Sequence, residues 1–311
     1  MTSKAHSPEF IEIAQLTAEQ ARELLEAMRW PDGAVCPHCG NVGAYPIKHK
    51  TREGLYKCKA CSRQFTVTVG TIFEDSRIPL NKWLIAIYLM CASKKGVSAH
   101  QLHRQLKVTY KTAWFMCHRI RLAMTQEPMS KKISGSVEVD ETFIGGREKN
   151  KHWDKRTPLT QGRSLKTKTP VMALIERGGE LRAKKIKHLR ADEIKAEIRK
   201  HVAPNARLLT DQYTGYIGLD REYRHEVVDH GRGQYVLGDV HTNTLEGWFA
   251  LLKRGVTGTF HHVSDQHLDR YVDEFVFRYN ARKIKDGERM AKAISKVAGK
   301  RLIYKDAVKQ R

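Results

Sequence analysis

Two cysteine pairs constrain this chain more than any other feature. Cys36-x-x-Cys39 and Cys58-x-x-Cys61 are separated by the 18 residues 40–57. Each pair sets two thiolates at one tight turn, and two such turns can close a tetrahedral sulfur site around zinc. Pro37-His38 and Gly40 shape the first knuckle and Lys59-Ala60 the second. The spacing predicts one structural zinc, with an iron–sulfur cluster as the competing occupant. Four unconnected buried thiols would not produce the doubled spacing. His38 reads as a surface residue, and Cys91 and Cys117, at helical positions among apolar neighbours, read as core. A closed four-sulfur site holds a fold together and performs no reaction, so any chemistry must lie elsewhere.

The charge balance points to the partner. Lys and Arg number 56 against 34 acids, a formal net charge of +22, with a pI near 9.8. A compact fold tolerates that self-repulsion most readily when it binds a polyanion and releases counterions, so nucleic acid is expected. The alternative is a ribosomal-type or merely soluble basic protein. The apolar fraction of 41% over 311 residues supports two or three domains with real cores and argues against disorder. The start, Met1 to His6, is polar, with no secretory leader. The longest apolar run, Trp83 to Ala92, falls far short of the roughly 20 residues a membrane span needs. The expectation is a cytoplasmic protein whose paired cysteines bind metal rather than each other.

Along the chain, Thr17-x-x-Gln20 reads as a capping box with Leu16 as staple. The helix behind it carries Leu24, Leu25 and Met28 and stops at Trp30-Pro31-Asp32-Gly33. Tyr56-Lys57-Cys58 and Gln64 to Val69 read as short strands, and Leu80 to Cys91 as an apolar helix. Val97 to Leu106 and Tyr110 to Arg121 read as two helices around Lys107-Val108-Thr109, a helix-turn-helix pattern. In such a unit the start of the second helix faces the major groove. That nominates Tyr110, Lys111 and Thr112 for DNA contact, with His118, Arg119 and Arg121 nearer phosphate. An ordinary basic helical hairpin is the alternative.

From Ser136 the pattern becomes α/β. Strands are predicted over Val137–Ile144, Pro170–Glu176, Leu181–Leu189, Arg207–Thr210 and Glu226–Val228. Helices are predicted over Asp192–Val202, Asn243–Leu252 and Asp265–Tyr279. Three consecutive strands followed by alternation imply a mixed sheet rather than an all-parallel one.

Three acids stand out. Asp140 lies mid-strand among Val137, Val139 and Phe143, an expensive place for a carboxylate unless it is paired or metal-bound. Asp211 ends a strand, where ligand sites of α/β sheets gather. Glu246 opens a helix, with Lys253 two turns further on the same face. Converging hard-oxygen ligands of this kind suit two-metal phosphodiester chemistry. Each acid also has a structural reading. Glu141 points to the face opposite Asp140, Asp211 could cap a turn, Glu246 could close a capping box with Asn243, and Glu274 is a rival on the next helix.

Read together, several strings resemble one family. They are Arg29 to Gly33, Cys36 to Gly40, Gly70 to Ser76, Val139 to Gly146, Thr210-Asp211-x-Tyr213-x-x-Tyr216, Asn243 to Trp248 with Leu252 to Val256, Gly258 to His262, and Arg278-Tyr279-Asn280-x-Arg282. This set, over roughly residues 20–285, resembles the bacterial insertion-sequence transposases that join a zinc ribbon to a DDE core, the group of ISXO-type elements. The resemblance implies a multidomain α+β protein: a helical segment (1–33), a zinc ribbon (34–78), a helix-turn-helix region (79–126), a linker (127–135), an RNase H-like mixed α/β catalytic domain (136–285) and a basic tail (286–311). It implies Asp140, Asp211 and Glu246 as ligands of two Mg2+ or Mn2+ ions, Lys253 as their companion and Arg254 among the DNA contacts. The implied activity is cleavage at the element's inverted repeats and joining of the 3′-hydroxyls to target double-stranded DNA, by at least a dimer. A DNA-binding regulator without catalysis, and a nuclease that cuts without joining, are the rival readings.

Overall fold

The computed structural model describes residues 8–126, 128, 131–146, 148–158, 160, 164–229, 236 and 238–308. They divide into two compact units: one of residues 1–125 and 281–311, the other of residues 126–280.

In the first unit α1 (Phe10–Gln15) precedes α2 (Ala18–Arg29). The start of α2 is the capping box read from sequence: the Thr17 hydroxyl accepts from Gln20 N–H, and the Gln20 side chain accepts from Thr17 N–H at 2.9 Å. The helix ends at Trp30, just before Pro31, whose ring cannot continue it. Strands β1 (Tyr45–Pro46), β2 (Tyr56–Lys57) and β3 (Gln64–Phe65) form an antiparallel ribbon. The third strand is shorter than the expected 64–69, because the chain turns back at once, with Val69 N–H bonding the Thr66 carbonyl. Trp30 stands edge-on to Tyr56 and Phe65, with ring centroids 5.3 and 5.8 Å away, and so ties α2 to the ribbon.

Helix α3 (Leu80–Ala92) buries Trp83, Leu84, Ala86, Ile87, Met90 and Cys91. It is apolar on most sides, as a central helix must be. Helices α4 (Ala99–Leu106) and α5 (Tyr110–Ala123) are capped by Ser98 and Thr109 and joined through Lys107, which is left-handed at φ 50°.

The second unit is built on one sheet. Strands β4 (Ser136–Ile144), β5 (Thr169–Glu176) and β6 (Leu181–Lys185) run as antiparallel neighbours. After α6 (Ala191–His201), β7 (Arg207–Asp211) and β8 (Arg224–Val228) add in parallel on the other side of β4. The sheet order is β6-β5-β4-β7-β8, the mixed arrangement the strand sequence implies. Alternation along β4 divides its side chains between two cores. Val137 and Val139 pack with Ile194, Ile198 and Val202 of α6. Ile144, on the other face, packs with Leu245, Trp248, Phe249 and Leu252 of α7 (Asn243–Arg254) and with Val272 and Phe275 of α8 (Leu268–Asn280).

Residues 286–311 read from sequence as a basic polar tail. The chain instead forms α9 (Asp286–Ser295) and α10 (Tyr304–Val308) within the first unit. Met290, Ala293 and Ile294 are buried, and α9 lies against α3 and α2. Arg289 donates to the Cys91 carbonyl at 2.9 Å. The many charges on the outer side of α9 mask this apolar stripe in composition. No helix among the described residues is long and apolar enough to cross a membrane.

Candidate metal centre and acidic site

The two cysteine knuckles are built alike. Gly40 N–H bonds the Cys36 carbonyl and Ser62 N–H bonds the Cys58 carbonyl, at 2.9 and 3.1 Å. Both closing residues are left-handed, at φ 74° and 58°. The turns bring Cys36, Cys39, Cys58 and Cys61 together with all four sulfurs within 4.8 Å of one another. Cys36 and Cys61 stand 3.7 Å apart, and Cys39 and Cys58 3.6 Å. A tetrahedron with zinc–sulfur bonds of about 2.3 Å has edges of about 3.8 Å, so the sulfurs already have the separation a structural zinc requires. The Cys61 backbone N–H, first among several causes, holds the Cys58 thiol down at about 7, which favours the ligating thiolate. His38 is exposed and outside the cluster. Cys91 and Cys117 are buried among the helices, as their spacing indicated.

The acids are arranged by sheet register. Strands β4 and β7 are parallel, pairing Ser136 with Arg207, Val137 with Leu208 and Glu138 with Leu209. Continued along both strands, the same offset sets Asp140 opposite Asp211, on the face toward α7. Asp140 accepts from Glu141 N–H at 2.7 Å, and Asp211 from Tyr213 N–H at 3.0 Å. Glu141 faces the other way, as expected, and accepts the phenolic proton of Tyr216. Burial first, then the charges of Glu141, Asp140 and Asp211, raise the Tyr216 phenol well above its usual value.

The start of α7, the helix that carries Glu246, is held to this face by a residue that sequence reasoning missed. Glu138 lies one strand period before Asp140 and is fully buried. Its carboxylate accepts from Thr244 N–H at 3.0 Å, Leu245 N–H at 3.1 Å, the Thr244 hydroxyl at 2.8 Å and Arg177 Nε at 2.9 Å. It thus satisfies the open N–H groups of α7 and neutralises its positive end. No side chain of its own caps this helix, so the capping-box alternative for Asn243 and Glu246 does not hold. Arg177 also donates to the Asp239 and His241 carbonyls at 2.6 and 2.9 Å. Arg207 holds the Asp239 carboxyl down at about 2. Two arginines of the sheet unit thereby fix the lead-in to α7. The signal was present in sequence, as a second acid on the Asp140 face, but its partners are about a hundred residues away.

Glu246 is exposed on the first turn of α7, and Lys253 and Arg254 are exposed on its last. The four cysteines are the one group among the described residues whose ligand atoms gather closely enough for a metal. Asp140 and Asp211 share a face of the sheet, and neither they nor Glu246 belong to such a group. Glu274 is buried and paired with Arg278 inside the α8 core.

Among the helical candidates for DNA contact, Tyr110 and Lys111 are exposed and Thr112 is partly so. His118, Arg119 and Arg121 require correction: they are 0%, 5% and 2% exposed. His118 lies against the Trp114 ring and Arg119 donates to the Leu302 carbonyl at 3.0 Å, so they pack the unit instead of facing phosphate. The physical reason is the C-terminal segment. Tyr304 covers Phe115 and takes Lys111 Nζ over its ring at 4.4 Å.

Comparison with known proteins agrees with this organisation. Residues 132–280 match the ISXO2-like transposase domain, and residues 16–64 match the transposase zinc-ribbon domain. The chain is also similar to a protein of Halobacterium salinarum described as an uncharacterised protein in transposable element ISH50. The two are 31% identical over 277 residues, covering 85% of this chain and 91% of that protein. The chain belongs to the ISXO2-like transposase family.

Proposed function

We propose that the sheet unit is an RNase H-like DDE core acting on DNA, and that the chain cuts the ends of its own insertion sequence and joins the freed 3′-hydroxyls to target DNA. The observation that supports this reading is the β4–β7 register, which continued sets Asp140 against Asp211, with the N-terminus of α7 bound to the same face by Glu138. Two divalent ions, Mg2+ or Mn2+, would activate the attacking oxygen and stabilise the leaving one. Asp140 and Asp211 supply carboxylates from adjacent strands. Glu246 would supply a third from an exposed helical turn, closing on the pair when substrate and metal bind. Lys253 stands two turns along α7, where its cation would hold a phosphate.

In the head, a structural zinc at Cys36, Cys39, Cys58 and Cys61 holds the ribbon. Helices α4 and α5 act as a helix-turn-helix that reads DNA through Tyr110, Lys111 and Thr112, while Arg254 contacts the backbone near the reaction. Holding both element ends requires at least a dimer during the reaction.

The test is cleavage and joining on a labelled element-end duplex with Mg2+, comparing the intact chain with Asp211→Ala. The expected result is cut and joined products from the intact chain, and DNA binding without products from the variant. Binding without cutting by the intact chain, in Mg2+ or Mn2+, would identify a DNA-binding regulator. Cutting without joining would identify a nuclease.

A further inference from the structure

Strands β4 and β5 are antiparallel neighbours, yet no tight turn joins them. Ile144 pairs with Thr169, and of the segment between them the described residues 145, 146, 148–158, 160 and 164–168 form an arm off the sheet. Its root is narrow: a Cβ on Gly145 would stand 2.7 Å from the Thr167 carbonyl oxygen, so glycine is needed there. In sequence the whole segment carries eight Lys or Arg against Glu148 and Asp154, a net of +6 (8 − 2) within a chain of +22.

Both acids are engaged inside the arm. Glu148 pairs with Lys151 at 2.7 Å and accepts from Thr157 N–H at 2.8 Å, and Asp154 pairs with His152. Arg156 donates to the Lys149 and Lys151 carbonyls, each at 3.1 Å. Lys149 and Lys155 have no acidic partner among the described residues. Within this basic segment Trp153 is 76% exposed, more than any other large apolar side chain described. An indole left in water between cations marks a surface made for a partner.

The arm's place in the sheet narrows the partner. It leaves the C-terminal end of β4, four residues beyond Asp140, and Asp211 ends β7 in the same direction. At about 3.3 Å per residue, its root lies about 13 Å past Asp140, about four base steps of a duplex. We propose that the arm grips DNA beside the cleaved phosphate, with Trp153 stacking on the terminal base of the cut end and Lys149 and Lys155 on flanking phosphates. This rests on the carboxylate reading above. A cut end offers an aromatic face and closely spaced negative charges, which match an indole among lysines. A second copy of the arm would instead bring like charge to like.

The test uses the full chain and a pre-cut duplex bearing the inverted repeat that flanks its gene, with 2-aminopurine as the terminal base. The intact chain should quench the 2-aminopurine. Trp153→Ala should lose the quenching and join strands on the order of ten-fold more slowly, while Trp153→Phe retains most of both. Replacing Lys149 and Lys155 by Ala should lower the slope of log affinity against log salt by about two. Quenching needs binding but no chemistry, so it tests the arm even if the intact chain neither cuts nor joins, a result that would sink the carboxylate reading. Unchanged quenching and joining by Trp153→Ala would overturn the proposal. So would a change in self-association of Trp153→Ala without DNA, measured by sedimentation, because the arm would then serve a second copy of the chain.

Discussion

The cysteine site and the acids of the sheet unit both offer side chains of kinds that can bind metal, but they are built on opposite plans. The cysteine ligands come from two adjacent knuckles, stand within 4.8 Å of one another, and lock a ribbon with only two residues in each strand. The acids come from two strands and a helix on a large sheet with an apolar core on each face. They do not gather as the cysteines do. A structural site completes its own coordination, whereas a catalytic site keeps positions open for substrate. A ribbon with strands this short has little core of its own, whereas the sheet can carry acids because its cores hold them.

Metal removal should expose this difference most sharply. Chelation, or Cys36→Ser, should unfold residues 34–65 while leaving the sheet unit intact. Structural zinc contributes on the order of 10 kcal/mol to such small domains. Hydrogen exchange with and without chelator checks this, and equal loss of protection in both units would break the comparison.

Next in size is Glu138→Ala. It leaves two helix N–H groups and Arg177 without their buried carboxylate, at a cost of about 3–5 kcal/mol. Chemical denaturation should show that loss in the sheet unit, with the ribbon untouched. A loss under about 1 kcal/mol would mean that the apolar face of α7 suffices to dock it.

The smallest effect should have the opposite sign. Asp140→Asn removes one of the two like charges that the β4–β7 register brings together and should stabilise the sheet unit by about 0.5–1 kcal/mol while abolishing cleavage. A lowered melting temperature would show that Asp140 contributes to the fold, against the division of roles drawn here.

Local chemistry was legible in the sequence. The Thr17–Gln20 capping box, the stop at Pro31, the cysteine knuckles and the strand of Asp140 each depend on residues a few positions apart, and each is found where the pattern placed it. Errors arose wherever distant segments meet. Arg119 looks like an exposed cation until Leu302 arrives from the other end of the chain, and His118 and Arg121 are likewise buried. The apolar stripe of α9 is diluted by charges that reach solvent.

The sequence by itself determined the ligands, the acids and the helix and strand periods, because short-range spacing and side-chain chemistry define them. Only the tertiary structure decided that Asp140 faces Asp211, that Glu138 caps α7 rather than joining the acids, and which basic residues are surface. Strand register, helix docking and burial are set by contacts between residues tens to hundreds of positions apart, and no local window contains them.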